Sequence, residues 1–113
     1  MLTRSLLSVL ILALAGCASV DDLRKKEPVF FATTDKSPQV YGECVAQGWR
    51  HAGGGEVDVL SIRNGVDVVH RSGGNVEEVV RVQHYDNRTH VNMYTRLRYR
   101  IPQFTEITNL CLS

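Results

Sequence analysis

The sequence has almost no net charge: 13 Lys and Arg stand against 12 Asp and Glu, a formal +1 at pH 7. Such a balance supplies no bulk electrostatic reason to bind nucleic acid, where Lys and Arg must neutralise phosphates. Nor is there an apolar run long enough to span a bilayer. Leu6 to Ala15 is nearly all Leu, Val, Ile and Ala, but its length of about ten residues falls short of the roughly 20 a spanning helix needs. Catalytic signatures are missing too. There is no G-x-S-x-G elbow, no Cys-x-x-Cys pair, and no phosphate loop, since Gly53-Gly54-Gly55 is not followed by Lys and Ser or Thr. The four histidines, His51, His70, His84 and His90, show no H-x-x-E-H or comparable spacing. Zinc wants three or four converging ligands, so these read as surface or strand-face residues and no metal or other cofactor is expected. His84 and His90 flank one turn, which by itself makes two ligands at most.

What is present begins at the N-terminus. Met1 to Arg4 carry one positive charge, the short apolar run follows, and small residues precede a cysteine in Leu14-Ala15-Gly16-Cys17. Charge, length and small residues match a signal peptide. The four-residue motif resembles the lipobox of bacterial lipoprotein precursors. That resemblance implies that the Cys17 thiol receives a diacylglyceryl group, that residues 1–16 are removed, and that the new amine is acylated. Each buried CH₂ of an acyl chain contributes roughly 0.8 kcal/mol, so two or three chains anchor the protein durably. Ala18 and Ser19 follow the cysteine with no Asp after it, which in Gram-negative lipoproteins resembles cargo of the outer membrane. The expected location is therefore the cell envelope, lipid-anchored at the outer membrane and facing the periplasm.

Removing residues 1–16 leaves 97 residues (113 − 16), enough for one small domain. Residues 17–36 contain the charged stretch Asp21-Asp22-Leu23-Arg24-Lys25-Lys26-Glu27-Pro28. It has little to bury and reads as a flexible, solvated tether, with packing beginning at Val29-Phe30-Phe31 as its alternative end. The expected domain is 37–113. With Cys17 assigned to the lipid, Cys44 and Cys111 are the remaining pair in a compartment that permits disulfides. Linking them closes a loop of 67 residues (111 − 44), a large staple for a domain whose core is small. The competing readings are two buried free thiols or a redox pair, and the missing Cys-x-x-Cys argues against the latter.

Within the domain, Ser37-Pro38 is a helix start: a capping hydroxyl, then Pro at the first helical position. Val40, Tyr41, Cys44, Val45, Gly48 and Trp49 recur on one helical face. The spacing predicts a helix of roughly 12 residues with Cys44 on its buried side, closed by Ala52 and the glycines. Strand patterning follows. Val57 and Val59 alternate with Asp58 and Leu60, and Asn64-Gly65 signals a hairpin whose two central residues take positive φ. Ser72-Gly73-Gly74-Asn75 and Asp86-Asn87-Arg88 mark two further turns. Asn87-Arg88-Thr89 matches a glycosylation sequon and reads as turn chemistry. A last strand is predicted over His90–Ile101, with Val91, Met93, Leu97 and Tyr99 on one face and Asn92, Tyr94, Arg96, Arg98 and Arg100 on the other. Pro102 ends it. Phe104, Ile107 and Cys111 then favour a short final helix, against an irregular tail. The fold class is thus α+β: an N-terminal helix, a four-stranded antiparallel meander with helices on its apolar face, a C-terminal helix or tail, and one disulfide.

Ser37-Pro38-x-x-Tyr41-x-x-Cys44-Val45-x-x-x-Trp49 and the terminal Cys111-Leu112 resemble small proteobacterial lipoproteins of unknown function. The resemblance implies a compact disulfide-bonded domain and transfers no catalytic residue. The functional expectation is a non-enzymatic outer-membrane lipoprotein whose periplasmic domain mediates interactions, with an envelope protein as partner and no nucleic acid. The alternative is a binding module for an anionic envelope ligand such as lipid A, phospholipid or peptidoglycan. It would use an arginine-rich sheet face of Arg81, Arg96, Arg98 and Arg100, since guanidinium binds such anions bidentately. Against it stands a solvated outer face whose charges discourage edge pairing. A small periplasmic enzyme is the third reading, and no motif supports it.

Overall fold

A computed structural model describes residues 20–53, 55–96 and 102–113. In chain order these form a short helix over residues 20–24 (α1), then β1 (Phe30–Thr34), α2 (Pro38–His51), β2 (Glu56–Ile62), β3 (Gly65–Ser72), β4 (Asn75–Tyr85), β5 (Arg88–Thr95) and α3 (Pro102–Leu110). The α+β class and the β2–β5 meander match the expectation. The strand count does not: the sheet has five antiparallel strands in the order β1-β5-β4-β3-β2. Strand β1 lies inside the stretch expected to be tether. It pairs along its whole length with β5, from Phe30 opposite Met93 to Thr34 opposite Thr89. Phe-Phe-Ala-Thr-Thr suits a strand, and the packing that could begin at Val29-Phe30-Phe31 is that of an edge strand on β5.

Local chemistry explains most element ends. The Ser37 hydroxyl accepts from the Val40 amide at 3.2 Å, Pro38 occupies the first turn of α2, and Gly53 beyond the helix has φ 97°. Three two-residue loops join β2 to β5. Gly73 and Gly74 (φ 57° and 83°) turn β3 into β4, and Asp86 and Asn87 (φ 53° and 62°) turn β4 into β5. Both pairs have the positive φ that matches strand twist. The first loop departs from expectation. Ile62 pairs with Gly65, so the loop is Arg63-Asn64, and only Asn64 has positive φ, at 61°. Gly65 is the first residue of β3. Its requirement is space, because a Cβ there would lie 1.8 Å from the Val82 carbonyl oxygen.

Both faces of the sheet carry packed helices, the inner one broadly and the outer one locally. On the inner face α2 and α3 pack with Tyr41, Val45, Trp49 and Phe104 against Val66, Val68, Val80, Val82, Val91 and Met93. Val40, expected on that face of α2, is exposed instead. The α2–α3 approach is close: a Cβ at Gly48 would sit 2.4 Å from Ile107 Cγ2. On the outer face Leu23 of α1 is buried on Val69, Val76 and Val79, with Val20 and Tyr94 beside them. The segment from residue 20 onward is therefore part of the domain and not a solvated tether. One apolar side chain, Leu23, makes the difference.

Strand β5 spans Arg88–Thr95, and residues 97–101 of the predicted last strand lie outside the described residues. The β3–β4 register shifts between His70 and Arg71, so Glu77 has no partner on β3, while on the other side of β4 the Arg96 amide donates to the Glu77 carbonyl at 2.8 Å.

Candidate functional site

The cysteines come together as expected. Cys44, midway along α2, is bonded to Cys111 just after α3, with Cα atoms 5.9 Å apart. The same corner gathers hydrogen bonds to carbonyls along α3 and just beyond it. Tyr41 Oη donates to Thr108 O at 2.6 Å, and Trp49 Nε1 donates to Phe104 O at 3.1 Å. Lys36 Nζ donates to Cys111 O at 2.8 Å and Ser113 O at 2.6 Å, while Thr34 Oγ1 donates to Leu112 O at 3.0 Å. Burial pushes the Tyr41 phenol well above its ordinary range. The Trp49 and Phe104 rings stack at 5.1 Å.

The arginine face is more committed than its sequence suggested. Arg81 and Asp67 lie opposite each other in the β3–β4 register. Arg81 forks onto Asp67, Nε to Oδ1 at 2.8 Å and Nη2 to Oδ2 at 2.7 Å, with both side chains largely buried. That carboxylate holds the guanidinium still more firmly protonated. Arg96 makes a looser fork with Glu77, at 3.0 and 3.2 Å, nearer solvent. Both arginines thus have their bidentate face occupied by a carboxylate of the same chain. Arg98 and Arg100 lie outside the described residues, as do the signal peptide and Cys17.

Histidines distribute across the sheet. His84 and His90 do not converge: His84 stands opposite Thr89 and His90 opposite Gln83, so the two project from opposite faces. His90 stacks on Tyr85 with ring centroids 3.7 Å apart and planes 6° off parallel. His51 is exposed. Among the described residues no group of three or more His, Cys, Asp or Glu side chains is placed to hold a metal ion.

His70 is the residue that sequence reasoning undervalued. It is 7% exposed on the inner face, edge-on to Phe104, and its Nδ1 lies 2.5 Å from Oε2 of Glu78, itself 4% exposed. Burial raises the Glu78 carboxyl above its ordinary value, and neighbouring Glu77 adds to that, while the bond to His70 opposes it. The pair stands opposite in the β3–β4 register. Two polar residues at inward positions of strands predicted to pair were the available signal, although the bulge one residue away obscured the register.

The β1 edge carries the most exposed large apolar side chain among the described residues. Phe31 is 77% exposed on the outer face, beside a concavity of about 460 Å³ bounded by Thr33, Tyr85, His90 and Asn92. On the inner side Phe30 borders a second one of about 500 Å³ with Pro102, Thr105, Glu106 and Asn109. Among the described residues no helix is long and apolar enough to cross a membrane. No family model matches the chain, and no curated protein or solved structure is significantly similar to it.

Proposed function

We propose that this chain is a lipid-anchored envelope lipoprotein, held through Cys17 at the outer membrane, whose small periplasmic domain acts by interaction and not by catalysis. The observation that carries the reading is the Cys44–Cys111 disulfide. Such bonds persist in oxidising compartments, which is where a chain beginning with a lipobox would be delivered. The packing of α1 adds a geometric consequence. Only Ala18 and Ser19 separate Cys17 from Val20, which already contacts the outer sheet face. Three residue steps extend at most about 10 Å, so the domain would sit close against the lipid headgroups.

Binding of an anionic envelope ligand through the arginine face is the second reading. It loses weight because Arg81 and Arg96 are engaged by Asp67 and Glu77. The test of the main reading is intact mass and detergent partitioning of the wild-type chain and Cys17→Ser. The wild type should partition into detergent with the mass of a lipidated residue 17–113 product, and the variant should accumulate unlipidated. Unchanged partitioning and mass in Cys17→Ser would overturn the anchor.

A further inference from the structure

The two edges of the sheet are built differently. Strand β2 carries Glu56 and Asp58, both exposed, and charges on an edge oppose strand addition. Strand β1 reads Phe-Phe-Ala-Thr-Thr, with no charge and no proline, and among the described residues no other strand lies on its outer side. Phe31 at 77% is the most exposed large apolar side chain among the described residues.

We infer that β1 is a homodimer interface: two copies pair antiparallel through this strand about a twofold axis at Ala32, making one continuous ten-stranded sheet. Two features of the strand point to a second copy. Antiparallel self-pairing engages all five residues only when centred on Ala32, which sets Phe31 opposite Thr33 and Phe30 opposite Thr34. Thr33 is short and exposed, and it borders the outer concavity between Phe31 and the Tyr85–His90 stack. Phe31 of the second copy therefore arrives over Thr33, with that concavity to receive its ring, and the symmetry repeats the contact.

The symmetry has a further consequence. An axis normal to the sheet keeps outer face with outer face, so both α1 segments lie on the same side of the ten strands. Two chains anchored in one membrane need that arrangement; this last point alone rests on the lipoprotein reading.

The experiment places the photo-crosslinking residue p-benzoylphenylalanine at position 31 of the full-length chain in living cells, which works in any compartment. The same residue at Leu60, on the β2 edge, is the control. The expected product from position 31 is an adduct of twice the chain mass containing this sequence alone, with the link mapping near Thr33, Tyr85 or His90. The Leu60 control should give none. Thr33→Glu in the position-31 chain puts an unpaired charge where the ring arrives, and should cut the adduct about tenfold or more. Because Thr33 is exposed, that variant should keep its far-ultraviolet circular dichroism. An adduct with a different protein would mean that the edge takes a foreign strand, and would overturn the homodimer. So would no adduct, an equal yield from position 60, or indifference to Thr33→Glu.

Discussion

Removing the Cys44–Cys111 bridge is expected to take away a large part of this domain's stability. The bond spans 67 residues of sequence, from the middle of α2 to the residue after α3. In the chain-entropy account a loop of that length stabilises by about 4 kcal/mol, by restricting the unfolded chain. A domain of this size is stable by about 5–10 kcal/mol in total. The variant Cys44→Ala/Cys111→Ala should therefore remain folded but lose about half of that. Its melting temperature should fall by about 20 °C, taking the sensitivity of domains below 100 residues. Urea unfolding of both proteins with a common slope measures the difference directly. Near-ultraviolet circular dichroism of the variant should still report the Trp49–Phe104 stack, because the helices keep Tyr41 to Thr108 and Trp49 to Phe104 as independent ties. A loss below about 1 kcal/mol would refute the reasoning, since it would mean the unfolded chain gains little freedom when the bridge is cut.

Three further outcomes follow from the geometry. Arg81→Met strands Asp67, which is 3% exposed, and should cost about 3 kcal/mol, while adding Asp67→Leu should recover most of that because the buried charge is gone; a double variant no better than the single would contradict it. Gly65→Ala drives a methyl into the Val82 carbonyl and should cost about 3 kcal/mol or more, read as a lowered urea midpoint. Glu78 binds its proton more tightly folded than unfolded, so its stabilising contribution is complete below the unfolded value and is lost as pH rises through the raised one. Urea midpoints across that range should fall for the wild type relative to Glu78→Gln, and parallel profiles would dismiss Glu78 as the source.

Much of this fold could be read residue by residue because its signals are local. The Ser37-Pro38 cap, the Gly73-Gly74 and Asp86-Asn87 turns, and the alternation of Val91 and Met93 with Asn92 and Tyr94 each act within a few neighbours. Their energetics need no distant partner. The Cys44–Cys111 pairing was also within reach, as the one intramolecular choice once Cys17 is set aside. Only tertiary structure decided the rest. Whether Phe30–Thr34 is a strand depends on β5, some 60 residues later, presenting a matching edge. Whether Leu23 leaves solvent depends on Val69, Val76 and Val79 meeting on the face opposite α2 and α3. The expected arginine face changes character because the β3–β4 register sets Asp67 beside Arg81 and the β4–β5 register, carried one step on, sets Glu77 beside Arg96. His70 and Glu78 become a buried pair for the same reason. Turns and caps are settled by the chain's nearest neighbours, whereas edges, buried charges and second faces are settled by which strands arrive side by side.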